Sequence, residues 1–169
     1  MDITLTKDAD GRWRFPENLI LVSKTDNRGT IKYANLPFCR IAGYEEAELV
    51  GQPHSIVRHP DMPKTVFRLL WETISHGHEF WGYVKNRSRD GGYYWVFAHV
   101  TPTFDATGRI IGYHSDRRAP RDEALEKVGA LYAELRQAEQ AGGLDAGLRL
   151  MKEKLAEFEG DYHAFVFSL

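Results

Sequence analysis

Residues 51–63 read Gly-Gln-Pro-His-Ser-Ile-Val-Arg-His-Pro-Asp-Met-Pro, placing His54, Arg58, His59 and Asp61 among three prolines. Proline fixes a backbone angle and removes an amide donor, so no regular helix or strand is expected across this stretch. A solvated connector draws more on Gly, Ser and Asn. A stiff backbone carrying clustered donors reads instead as a lip that grips an anionic or polar ligand. The plainer alternative is a structured connector whose charges face water. Arg58 has the planar fork of donors that suits phosphate or carbonyl oxygens, and it is expected to carry most of the grip. A second candidate is Asn86, in a strand-like run where Lys85 and Arg87 take the alternate face. Its amide can both donate and accept. No nucleophile with a paired base, phosphate-cradling Gly-rich loop or Cys/His metal spacing is found, so no enzyme is expected. His76 and His78 offer two metal ligands without a third.

The elements that must position these residues are legible on both sides. Residues 19–23 form an apolar run of strand length, 25–29 carry the turn formers Asp, Asn and Gly, and 30–34 alternate. That pattern predicts a hairpin, with Asn35 at its exit. Leu36, Phe38, Cys39, Ile41 and Ala42 predict a short helix ended by Gly43, and 45–49 a single turn. Past the lip, Val66, Phe67, Leu70, Trp71 and Ile74 draw an amphipathic helix over 64–75, stopped by Gly77. Three long strands are predicted at 80–87, 93–104 and 109–117, separated by Asp/Gly turns. The expected fold is α+β on an antiparallel sheet.

Beyond Pro120, Leu125, Val128, Leu131, Tyr132, Leu135 and Ala138 mark one helix, and Leu144, Leu148, Met151, Leu155 and Phe158 a second. Gly142-Gly143 divides them, predicting a helical hairpin. The chain thus reads as an N-terminal arm or cap (1–18), a sensor-sized domain (19–119) and a helical extension (120–169). The apolar tail 161–169 is expected to dock on the sheet face left bare by its helices, making a homodimer or a partner site. Capping within one monomer is the alternative.

A net charge of -2 is too near neutral for nucleic-acid binding by bulk electrostatics. The single cysteine, Cys39, excludes an internal disulfide framework and fits a reducing compartment. Its apolar helical setting reads as a buried, inert thiol. No apolar run follows a basic start and none approaches the ~20 residues that cross a bilayer. A cytoplasmic protein without membrane insertion is expected.

From about Leu21 to Arg118 the chain resembles the PAS sensor domains, specifically the FAD-holding aerotaxis-receptor type. The most specific match is Gly51-Gln52-Pro53-His54 followed by Val57-Arg58-His59-Pro60-Asp61-Met62-Pro63. Ala34-Asn35, Gly43-Tyr44, Val84-Lys85-Asn86-Arg87, Tyr94-Trp95-Val96 and Gly112-Tyr113 support it. The resemblance implies a PAS fold: a five-stranded antiparallel sheet, short helices on one face and a pocket between them. It implies a flavin, FAD rather than FMN, near Asn35, His54, Arg58, His59, Asp61, Phe80 and Asn86. It also implies redox or oxygen sensing reported to a chemoreceptor- or kinase-type partner, as in chemotaxis signalling. In that type a tryptophan six residues before the strand asparagine packs on the flavin. Here the position is Phe80, and the neighbouring Trp81 points to the opposite face. The receptors continue into membrane-anchored modules, whereas here output is expected through the C-terminal helices. Alternatives are a haem gas sensor, with His99 or His59 as axial ligand, and a cofactor-free interaction module.

Overall fold

The computed structural model describes residues 3–169; Met1 and Asp2, where the expected arm begins, lie outside the described residues. Two short strands, β1 (Thr6–Lys7) and β2 (Trp13–Arg14), pair in the arm. The hairpin β3 (Leu21–Asp26) and β4 (Ile31–Ala34) opens the main sheet. Its first strand runs three residues beyond the apolar run that predicts it. The Asp26 carboxylate accepts from the Arg28 and Thr30 amides, so the turn starts there. Three helices follow: α1 (Leu36–Ala42), α2 (Glu46–Leu49) and α3 (Lys64–Ser75). The proline-rich stretch between α2 and α3 is irregular apart from one 3-10 turn, His54–Val57. Strands β5 (Phe80–Arg87), β6 (Tyr93–Phe104) and β7 (Ile110–Arg118) complete an antiparallel sheet of order β4-β3-β7-β6-β5.

Strand alternation sorts the side chains. Val84 and Asn86, then Tyr94, Val96, Ala98 and Val100, then Tyr113, Ser115 and Arg117 are buried on the face under the helices. Trp81, Phe97 and His99 lie on the outer face, with Trp81 stacked on His99 at 3.8 Å between ring centroids.

The C-terminal extension is a hairpin. Helix α4 (Asp122–Lys154) is broken at Gly142 and at Gly143, whose φ of 73° belongs to the left-handed region. Its two arms meet antiparallel, with Lys154 Nζ 2.6 Å from the Glu134 carboxylate. The tail forms α5 (Tyr162–Phe167).

The tail docks mainly along the free edge of β5 rather than across the bare sheet face, which it meets where Phe167 lies edge-on to Trp81 at 5.8 Å. Tyr162 and Val166 are buried there, and the Tyr162 ring stacks on Phe80 at 5.8 Å and 9°. An edge strand has unpaired amides and carbonyls that apolar cover alone leaves unsatisfied. Here polar tips satisfy them. The Trp81 N–H donates to His163 Nε2 (3.2 Å), the Tyr83 N–H donates to the Tyr162 hydroxyl (3.3 Å), and the Tyr83 carbonyl accepts from Tyr132 (2.6 Å). Tyr162 and Val166 are thus covered within their own chain, while Phe165 and Leu169 are partly buried. Phe167 stays 61% exposed.

Gly82 shows how close this packing is. A Cβ there would stand 2.7 Å from the Phe80 ring and 2.9 Å from the Tyr162 hydroxyl. Gly82→Ala is expected to cost about 1–3 kcal/mol, the range for overpacking. Urea unfolding of the two proteins measures it, and an unchanged midpoint would mean that the Phe80 ring and the Tyr162 hydroxyl do not close over Gly82.

Candidate functional site

Between α3 and the inner sheet face lies a cavity of about 210 Å³. Its helix wall is Phe67, Leu70, Trp71 and Ile74, and its sheet wall includes Val84, Asn86, Ala98, Val100 and Ser115. Two largely apolar walls suit a flat aromatic body. A dry cavity of about 150 Å³ holds one benzene, so the enclosed space takes about one aromatic ring and the rest of a larger ligand would extend through the mouth. Three arginines, Arg28, Arg58 and Arg117, line the cavity, and no carboxylate does. The site is therefore electropositive.

Arg117 is the residue that sequence reasoning missed. It lies at the end of β7 with its side chain turned inward, 4% exposed. Its Nη2 donates to Ser23 Oγ (2.7 Å) and to His54 Nε2 (2.7 Å), and the guanidinium lies over the Phe38 ring. Its Nη1 is buried without a hydrogen-bond partner. Among the described residues Arg117 has no ion-pair partner, and Asp116 stands on the opposite face of the strand. Burial drives its pKa down to about 10. A buried, uncompensated cation with an orphaned donor is what an anionic or acceptor-rich ligand would satisfy. The signal available in the sequence was strand parity: Tyr113 and Ser115 are apolar or small, and Arg117 continues their face.

His54 is held neutral by the same arrangement. Part of the residue reaches solvent, but Nε2 faces Arg117 and Ser23, and burial with the guanidinium lowers its pKa to about 3. The folded value lies below the unfolded ~6.5. As pH falls below 6.5 the unfolded chain takes up a proton that folded His54 refuses, so stability falls toward pH 3. Denaturant titrations at pH 7 and 5 are expected to show this loss, and a smaller one in His54→Gln.

The remaining sequence candidates divide. Arg58 reaches the mouth, where its guanidinium lies 3.7 Å from the Phe67 ring centroid, but the residue is largely exposed. Its backbone bridges to Asn86, which is 4% exposed at the cavity wall. The buried hydroxyl of Tyr94, the cross-strand partner of Asn86, has no hydrogen-bond partner. Asn35, His59, Asp61 and Phe80 do not line the cavity. Asn35 caps α1: its Oδ1 accepts from Val22 and Phe38 amides and its Nδ2 donates to the Ile20 carbonyl. Those bonds use its amide to lock hairpin to helix. His59 accepts from the Asp61 amide and packs on Tyr93. Asp61 pairs with Lys85 and Arg136 on the far side of the lip. The lip has two sides because the chain turns at 59–62, where the Met62 N–H donates to the His59 carbonyl (3.1 Å). Phe80 is occupied by Tyr162. The proposed haem ligands also face away: His99 lies on the outer sheet face beside Glu79 and Asp116. His54, at the cavity, has its Nε2 engaged.

Among the described residues, no group of three or more His, Cys, Asp or Glu could hold a metal ion. Nor, among the described residues, is any helix long and apolar enough to cross a membrane.

Residues 31–115 match the family described as PAS fold. The aerotaxis receptor of Escherichia coli (strain K12) is 40% identical over 136 residues, 80% of this chain and 27% of the receptor. The nitrogen fixation regulatory protein of Klebsiella pneumoniae is 32% identical over 99 residues, 59% of this chain and 20% of that protein. The chain thus spans about a quarter or less of the length of these relatives. Among solved structures, a light-oxygen-voltage domain whose mechanism was studied with a flavin analogue superposes with a TM-score of 0.57 at 18% identity. It covers 68% of this chain and 87% of that one.

Proposed function

The chain belongs to the PAS family, and from that premise we propose that it is a flavin-binding sensor, holding FAD and signalling redox or oxygen state. The observation that carries this reading is the cavity itself: two apolar walls, buried Arg117 with an orphaned donor, and no carboxylate. The similarity to an aerotaxis receptor and to a light-oxygen-voltage domain studied with a flavin analogue supports it.

The residues present fit the group. Phe67, Trp71, Val84 and Val100 would enclose the ring system, and Asn86 and Arg117 would meet its polar edge. Arg28 and Arg58 stand at the mouth, where a phosphate-bearing chain would leave. FAD, when bound, supplies reversible uptake of electrons. The chain's own part is to exclude water, orient the ring and set the charge around it. Arg117 favours negative charge in the cavity, and His54 accepts from Arg117 without adding a charge of its own. No acid, base or nucleophile is used on a substrate, so the proposed role is sensing rather than catalysis, with a signalling protein or a second copy as receiver.

Mass spectrometry of the supernatant released by heat from purified protein tests this. FAD is the expected species, and no flavin even after reconstitution with FAD would overturn the reading. Arg58→Ala is expected to weaken FAD by no more than about tenfold, because a largely exposed cation is screened by solvent.

A further inference from the structure

We propose that Glu139 and Arg136 of α4 are positioning residues for the cavity, so that ligand occupancy and docking of the C-terminal hairpin form one coupled equilibrium. The inference rests on the cavity being the flavin site. Helix α3 forms one cavity wall but has no side-chain cap of its own, since Pro63 precedes it. The first amides of a helix need acceptors, and Glu139 supplies them from another element. Its Oε1 accepts from the Lys64 amide (2.9 Å), and its Oε2 accepts from the Thr65 amide (2.9 Å) and hydroxyl (2.7 Å). A carboxylate here also complements the helix dipole.

The second arm of α4 closes on the same point. Gly147 leaves no room for a Cβ, which would collide with Thr65 Oγ1 and stand 3.0 Å from Glu139 Cγ. One helical turn before Glu139, Arg136 Nη1 lies 3.1 Å from Asp61, whose other oxygen accepts from Lys85 Nζ at 2.8 Å. Asp61 follows Arg58 by three residues on the stiff lip. The hairpin therefore grips both the start of the cavity helix and the lip that carries the mouth arginine. This route runs through the lip and α3, not through the outer sheet face. A ligand that shifts α3 or the lip must load or release these bonds. By linkage, releasing them must change ligand affinity by the same factor.

The test uses the full chain with FAD as probe, and Glu139→Gln and Arg136→Gln as separate variants. Amide exchange across 122–154 is measured with and without FAD, and FAD affinity is measured by fluorescence titration. In the parent, FAD is expected to slow exchange in α4. Glu139→Gln is expected to weaken FAD about fivefold or more and to abolish that ligand-dependent protection, a response that a merely structural cap would not show. Should Glu139→Gln fail to fold, Arg136→Gln, at a half-exposed pair, carries the same comparison. Full FAD affinity in the folded variants, with α4 exchange indifferent to FAD in the parent, would overturn the coupling alone. A parent that binds no FAD would overturn the cavity reading and the coupling with it.

Discussion

Arg117→Met is expected to raise the thermal midpoint of the flavin-free protein while weakening FAD by about ten- to a hundredfold. The two effects share one cause. A guanidinium 4% exposed, with an orphaned Nη1 and no ion-pair partner among the described residues, opposes folding until something negative or acceptor-rich meets it. Replacing even a buried ion pair by apolar side chains of similar volume is often neutral or stabilising by about 1–4 kcal/mol, and Arg117 has no paired charge to lose. Methionine is shorter but of similar volume and wholly apolar, and its thioether is expected to pack toward Phe38, over which the guanidinium now lies. Ser23 Oγ, 2.9 Å from His54 Nε2, can donate to it and leave neither group orphaned. The ligand meanwhile loses a charge-assisted bond worth about 1.5–3 kcal/mol. Removing a cation beside the flavin also disfavours the more negative, reduced form, so the midpoint potential is expected to fall. Thermal melts of the flavin-free proteins, fluorescence titration with FAD and dye-referenced potentiometry read all three. A lower midpoint temperature in the variant would show Arg117 to be structural, and unchanged affinity would place it out of reach of the ligand.

Tyr162→Ala is expected to destabilise the protein by about 3–5 kcal/mol, the range for truncating a buried aromatic, and to promote self-association. The ring is 2% exposed against Phe80, and its hydroxyl satisfies the Tyr83 amide. Burial raises its pKa to about 12, so the hydroxyl remains a neutral donor and acceptor across ordinary pH. Tyr162→Phe separates the contributions, since it keeps the stack and loses only the polar tip, for about 1 kcal/mol. Without α5, the Trp81 and Tyr83 amides of β5 are open to another strand. Chemical denaturation gives the stability order and light scattering the association. A monomeric, fully stable Tyr162→Ala would mean that the tail does not cover the edge.

Local pattern was enough to place the main sheet, α1 to α3 and the α4 hairpin, but not the arm strands β1 and β2 or the tail helix α5. Period-2 and period-3.6 alternation, with Asp/Gly turns, positions α3 and β5 at their observed limits, because those signals arise from neighbours a few residues apart. Gly43 and Gly142-Gly143 end helices for reasons carried by their own backbone. The lip's rigidity and the inward face of Asn86 were legible on the same grounds. Side-chain destination was not. Asn35, His59 and Asp61 have the chemistry of ligand contacts, yet their partners are Ile20, Val22, Asp61's own amide, Lys85 and Arg136, set by how distant segments pack. The edge of β5 is invisible in sequence because strand order is a tertiary property, and with it the reason that an apolar tail carries tyrosine and histidine. Arg117 was equally hidden, since a charged residue at a strand end reads as solvent-facing until the sheet's inner face is known to continue there. The sequence by itself determined the main sheet, its helices and the α4 hairpin; only the packing of distant segments decided where α5 sits, which polar groups face the cavity and which hold the frame.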